Sequence, residues 1–226
     1  MTLEQTILNG VDRNEIYRYL SAKRKVDDSW QTYVEAVLEE TGTLILPNQL
    51  MIEDAISIDA NQVKLISSEL QLTSENFADH IKGGKRLWIV AATLGHLIER
   101  KIKYYFAVNP TRAVVMDACG SALIESYCDI LERSIKDAHT EVKGFTSRFS
   151  PGYGDLSLTT QRQLFERFDI SKRTGIHLSE GDLMLPQKSV VFMIADQPVD
   201  TPQSIGCQHK CASCTLQHCI YRTEGM

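Results

Sequence analysis

No run of apolar residues in this 226-residue chain approaches the ~18 that a membrane-crossing helix needs, so no membrane span is expected. The opening M-T-L-E-Q-T lacks both the basic start and the apolar stretch of a secretion signal, which points to a cytoplasmic home. Positive charge is in deficit: 24 Lys and Arg against 29 Asp and Glu give a net charge of −5. That balance argues against a protein that holds nucleic acid through its phosphates. There is no P-loop, no G-x-G-x-x-G, and no Ser/His/Asp or Cys/His nucleophile pattern, so hydrolase and nucleoside-triphosphate chemistries find no support. Internal repeats and low-complexity stretches are also absent. Cysteine is sparse outside one stretch: four of the six crowd into Cys207–Cys219, while Cys119 and Cys128 fall in an apolar helical pattern. A disulfide scaffold would spread them differently. A reducing compartment and a metal or cluster site fit better.

What is present fits a globular α+β chain. An apolar share of 43% over this length is enough for a real core, and the element order decides the class. Helical spacing marks Asn14–Leu20 and Ser29–Glu40, the latter through Trp30, Tyr33, Val34 and Val37. Ala55–Leu72 alternates apolar and polar residues around an Ala60-Asn61 turn, as two or three antiparallel strands with one wet face would. Ser74 caps a short helix to Ile81, and Gly83-Gly84 breaks it. The continuous apolar run Arg86–Thr93 reads as a central strand, followed by a helix over Leu94–Ala107. Asn109-Pro110 opens the longest helix, Thr111 to about Ala138, whose Ala118, Gly120 and Ser121 leave room for another backbone to come close. Leu158–Phe168 and Ile170–Arg173 read as helices, Leu183–Pro186 as a brief extended run and Lys188–Ala195 as the last strand. Asp196–Gly206 is a Pro-containing linker. The order suggests an α+β domain around a mainly antiparallel sheet.

The stretch Ser147–Gln161, S-R-F-S-P-G-Y-G-D-L-S-L-T-T-Q, stands out. Pro151 presets φ to about −65° and Gly152 can take positive φ, so a tight turn is expected, with backbone groups left unpaired and aimed outward. Arg148 adds a planar fork suited to a carboxylate or phosphate, and Tyr153 a flat face with a polar tip. The same residues also fit a solvated surface turn. Near the end, Cys207-x3-Cys211-x2-Cys214-x4-Cys219 packs four soft ligands at short spacing, with His209 and His218 as substitutes for one thiolate. Zinc, an iron–sulfur cluster, or free thiols and labile disulfides all fit that spacing. The first three cysteines also fit the C-x3-C-x2-C motif of radical AdoMet enzymes, but those carry it ahead of their barrel, and only seven residues follow Cys219.

R-F-S-P-G-Y at Arg148–Tyr153 resembles the R-P-A-P-G-Y motif of the activation domain of cobalamin-dependent methionine synthase, which binds S-adenosylmethionine (AdoMet). A-A-T-L-G at Ala91–Gly95 and D-A-C-G-S at Asp117–Ser121 resemble segments of free-standing versions of that domain. L-I-E-S-Y at Leu123–Tyr127 resembles the helix carrying the family's ligand-binding Glu, and M-L-P at Met184–Pro186 precedes the last strand. The resemblance spans about Ile16 to Ala195. It implies an AdoMet-binding domain over residues 1–196, a twisted antiparallel sheet flanked by helices, and a separate four-cysteine tail over residues 197–226.

Carried over by position, Arg148 would grip the AdoMet carboxylate. Ser150, Gly152 and Tyr153 would supply backbone and contact surface, and Glu125 would hold the cationic end, unless it is a solvated helix carboxylate. No general base is implied. The family's Pro after Arg is Phe149 here, its Ala is Ser150, and Gly154 follows the Tyr. An N-terminal ligand-binding Asp has only positional candidates, Asp27 and Asp28. A further Tyr of the full-length enzyme lies beyond its last matched strand, where this chain has the linker and cysteines. The implied function is reactivation: AdoMet methylates cob(II)alamin on a separate corrinoid protein, with one electron from flavodoxin, ferredoxin or the tail. That electron favours a 4Fe–4S iron–sulfur cluster over zinc on Cys207, Cys211, Cys214 and Cys219. A non-catalytic redox or metal sensor that docks on the corrinoid protein is the other expectation.

Overall fold

The computed structural model describes residues 1–20 and 27–197. In chain order these form α1 (Leu3–Asn9), α2 (Arg13–Tyr19), α3 (Asp28–Gly42), β1 (Asn48–Asp59), β2 (Gln62–Leu65), β3 (Gln71–Thr73), α4 (Glu75–His80), β4 (Arg86–Thr93), α5 (Leu97–Val108), α6 (Pro110–Ala138), α7 (Thr160–Phe168), α8 (Ile170–Thr174), β5 (His177–Leu178), β6 (Met184–Leu185) and β7 (Ser189–Ala195). A five-stranded sheet runs β3-β2-β1-β4-β7, with a separate β5-β6 ribbon. The class is α+β, as expected. The residues divide into two compact units. One is Met1–Leu50, Ala91–Ile135 and Ser171–Val190; the other is Met51–Val90, Lys136–Ile170 and the described residues from Val191 on.

In the first unit, side-chain caps start the N-terminal helices. Asp12 accepts from the Asn14 amide at 2.9 Å, and Asp27 accepts from the Trp30 amide at 2.8 Å and the Ser29 hydroxyl at 2.7 Å. Asp27 is therefore engaged as a helix cap. α1 was not expected, because seven residues with one buried side chain, Ile7, leave no periodic stripe. It is fixed instead by Ser126 of α6, whose hydroxyl donates to the Ile7 carbonyl at 2.7 Å. α5 begins three residues later than the apolar pattern suggests. Gly95 takes φ +79 there, and a Cβ on it would lie 2.9 Å from that of Leu46. Asn109 starts α6, its side chain accepting from the Arg112 amide at 3.1 Å, with Pro110 in the first turn where no donor is missed.

The small residues of α6 do admit a close neighbour, but it is a side chain rather than a backbone. A Cβ on Gly120 would sit 3.0 Å from Cε of Lys188. The buried Lys188 ammonium lies 2.8 Å from Asp117 and 2.9 Å from the Ser121 hydroxyl.

In the second unit, the alternating run pairs as expected. Ile56 faces Leu65 and Ile58 faces Val63, with β2 antiparallel to both β1 and β3. Asp54 of β1 points inward and accepts from the amides of Ser67 and Ser68 at 2.8 and 2.9 Å, which holds the turn after β2. Burial pushes the Asp54 carboxyl up, but these bonds outweigh it and hold it below the usual range. β4 is buried almost throughout, as its unbroken apolar run requires. The residues before the Arg148 turn form no strand of their own. They meet the last strand through isolated bridges at Phe145–Asp196 and Phe149–Met193 and through Thr146, whose amide donates to the Ala195 carbonyl at 2.9 Å.

Candidate functional site

The Arg148–Tyr153 loop is built on α4 and on the part of β7 from Val191 on, within the second unit. Phe149 and Met193 exchange two backbone bonds, at 2.9 and 2.8 Å, which pin the loop to the strand. The buried Phe149 ring packs against Phe77 at 5.2 Å, His80 at 5.1 Å and Tyr153 at 5.9 Å. His80 adds a second fastening, its Nε2 lying 2.8 Å from the Ser147 carbonyl. Arg148 stands between these fixed points, half-buried, with its guanidinium 5.6 Å from the centre of the Phe192 ring. A cation held over a ring face is oriented by it, and a planar guanidinium suits a carboxylate or phosphate.

The turn is tighter than expected. Gly152 and Gly154 take φ of +92 and +54, in the region that favours glycine. The Gly152 amide donates to the Leu156 carbonyl at 2.7 Å, and the Tyr153 amide to the Ser150 carbonyl at 3.0 Å. These two amides are thus consumed inside the loop, which corrects the expectation that the turn would aim unpaired backbone outward. The turn closes on itself because two left-handed glycines fold it back over Leu156. What it presents outward is side chain: Tyr153 is 48% exposed. The structure brings Arg148, Ser150, Gly152 and Tyr153 into one loop.

Glu125 belongs to the first unit, half-buried on α6. Its charge reaches two groups of α2 that sequence reasoning missed. Burial pushes the Glu15 carboxyl up; Arg18 works against this, and the nearby Asp12 and Glu125 add to it. Burial likewise raises the Tyr19 hydroxyl, followed by the charges of Glu125 and Glu15. Arg18 pairs with Glu15 and lies 5.7 Å over the Tyr19 ring. Glu125 and Glu15 thus lie close enough to feel each other's charge, and Arg18 partly offsets that of Glu15. No spacing in the sequence relates residue 15 to residue 125. The Glu15-x2-Arg18 step on a helix was the one available signal, and alone it means an ordinary surface pair.

Two of the segments shared with the resembled domain, A-A-T-L-G and M-L-P, meet elsewhere in the first unit. They border a cavity of about 470 Å³ lined in part by Asn48, Thr93, Gly95, His96 and Pro186. Cys119 and Cys128 are buried and form no disulfide, and burial pushes Cys119 up to about 12, so it is inert. Cys207, Cys211, Cys214, Cys219, His209 and His218 lie outside the described residues. Among the described residues no group of three or more His, Cys, Asp or Glu could hold a metal ion. No described helix is long and apolar enough to cross a membrane.

No family model matches the chain, and no curated protein is similar to it by sequence. A solved structure, the MetH reactivation domain bound to AdoHcy, is similar with a TM-score of 0.71 at 13% identity, covering 89% of this chain and 78% of that one. The shared fold is that of the reactivation domain.

Proposed function

We propose that the chain is a free-standing AdoMet-binding reactivation module, which supports reductive methylation of cob(II)alamin on a separate corrinoid or methionine synthase protein. The observation that carries this reading is Arg148, oriented over Phe192 beside the exposed Tyr153 in a glycine-turned loop. That loop stands in a fold whose solved counterpart is described with AdoHcy. The residues fit the ligand's charges. Arg148 offers a fork to a carboxylate, and Glu125 is a carboxylate of the kind a cationic group takes.

The ligand supplies an electrophilic methyl group on sulfonium. The protein's part is to hold that group at a fixed approach to the partner's cobalt and to keep water out, since such a displacement is limited by positioning and needs no general base. One electron takes cob(II)alamin to cob(I)alamin, which accepts the methyl and leaves AdoHcy. The donor is flavodoxin, ferredoxin or an iron–sulfur cluster on Cys207, Cys211, Cys214 and Cys219, whose four thiolates are the donor set such a cluster uses; zinc is the alternative there. The setting is cytoplasmic.

A second reading, a non-catalytic redox or metal sensor that docks on the corrinoid protein, draws on the Gly152 and Tyr153 amides, which leave the loop fewer groups to offer a ligand. One experiment separates the two. The chain, AdoMet and a low-potential reductant are mixed with a cobalamin protein in the Co(II) state, and methylcobalamin is followed by its visible spectrum. Faster methylation than without the chain supports reactivation. No acceleration, with free cobalamin included, overturns it. Replacing the four cysteines by Ser then sorts the tail: a full rate restored by an artificial reductant marks a relay.

A further inference from the structure

We infer that Asp155 is the positioning residue of the Arg148–Tyr153 loop, clamping its far end to the start of α4; the inference rests on the AdoMet reading. The Asp155 carboxylate takes donors from three successive residues of the other chain segment. Oδ1 accepts from the Ser74 hydroxyl and from the Asn76 amide at 3.1 Å, and Oδ2 accepts from the Glu75 amide at 2.8 Å. The contact is reciprocal, since the Asp155 amide donates to Asn76 Oδ1 at 3.2 Å. Next to it, a Cβ on Gly154 would lie 2.3 Å from Asn76 Oδ1, so only glycine lets the loop lie this close.

A plain helix cap does not account for this arrangement. Ser74 already caps α4, its hydroxyl accepting from the Phe77 amide at 2.9 Å while donating to Asp155. The second cap comes from a residue 79 to 81 positions away, and what it adds is the place of the loop. At its other end α4 holds the same loop, through His80 at the Ser147 carbonyl, and Phe77 packs under Phe149 between them. The segment carrying Arg148, Ser150, Gly152 and Tyr153 is thus strung between two fastenings on one short helix. Asp155 itself is turned to α4 and touches no ligand group in this scheme. Its carboxylate is required because three donors converge on it: an amide in its place would set an NH2 against the Glu75 N–H.

The test uses the full chain and its Asp155→Ala, Asp155→Asn, Asn76→Ala and double Asp155→Ala/Asn76→Ala variants. AdoMet affinity is measured by calorimetry and loop mobility by hydrogen–deuterium exchange of peptides covering residues 144–158 and 74–80. Asp155→Ala is expected to weaken AdoMet about tenfold or more and to speed exchange in both peptides, leaving α6 unchanged. Asp155→Asn should fall between, and the double variant should bind no worse than Asp155→Ala, because both changes break one clamp. Asn76 is exposed, so Asn76→Ala carries the test if Asp155→Ala fails to fold. Unchanged exchange overturns the clamp. Faster exchange with unchanged affinity reduces Asp155 to a structural cap and overturns the positioning role. A wild-type chain that binds no AdoMet overturns the AdoMet reading, and with it the positioning role, whatever the exchange shows.

Discussion

Replacing Arg148 by Ala separates the loop's part in binding from its part in folding, because the structure gives the guanidinium two different jobs. One contact it makes with the chain is the stack over Phe192 at 5.6 Å. At a half-exposed site a cation–π contact is worth roughly 0.5–1 kcal/mol, or about 1–4 °C of Tm for a chain of this size. Its proposed contact with ligand is a bidentate bond to a carboxylate in a partly desolvated loop. Removing one partner there strands the other, which costs about 2–4 kcal/mol, or roughly 30- to 1,000-fold in affinity. Affinity should therefore collapse while the melting point barely moves. Calorimetry with both AdoMet and AdoHcy sharpens the test. The carboxylate is common to the two, so both should weaken by the same factor. Arg148→Lys keeps the charge but not the fork and should recover only part of the loss. An Arg148→Ala protein that binds both ligands as the parent does would refute the assignment. A fall of ten degrees or more in Tm would show that the residue holds the core instead.

Glu125→Gln should reduce methylation at subsaturating AdoMet in the spectral assay while folding survives. In the same variant a carbon-13 NMR titration should find the Glu15 carboxyl moved back toward its ordinary 4.5, because one of the charges that raises it is gone. Asp54 sets an acid limit. Its carboxyl is lowered in the folded state, so its contribution is present above the unfolded value of about 4 and is lost as pH falls through the folded one. Chemical denaturation from pH 6 to pH 2 should therefore show a loss below about pH 4 that is shallower in Asp54→Asn, a variant about 1–3 kcal/mol less stable at pH 6. Ser126→Ala leaves the Ile7 carbonyl without its 2.7 Å donor and should lower stability by about 1–2 kcal/mol, read in a denaturant melt.

Where a segment's structure follows from its own residues, the sequence announced it. β4 was legible to the residue because a short unbroken apolar run bounded by glycines suits a buried central strand. Ser74 was legible as a cap because a hydroxyl ahead of an apolar helical step has a local job, accepting from the Phe77 amide. What escaped depends on partners far along the chain. α1 is held by a hydroxyl 119 residues away, and β5–β6 is two residues wide, too short to show a period. In the candidate site, the composition of the loop was legible while its internal bonding was not. Pro-Gly-Tyr-Gly announces a turn, but it does not say that the turn's amides find Ser150 and Leu156.

Phe149 shows how a departure from a resembled motif is reconciled with the same loop. The related motif has Pro at this place, which presets φ but has no N–H to give. Here the N–H is needed, since it donates to Met193 and makes one half of the exchange that pins the loop to β7. The ring is needed as well, because it fills the space between Phe77, His80 and Tyr153. The chain therefore fixes this point through a backbone pair and an aromatic cluster, where the related motif has a preset dihedral. Arg148, the next residue back, inherits its placement from both.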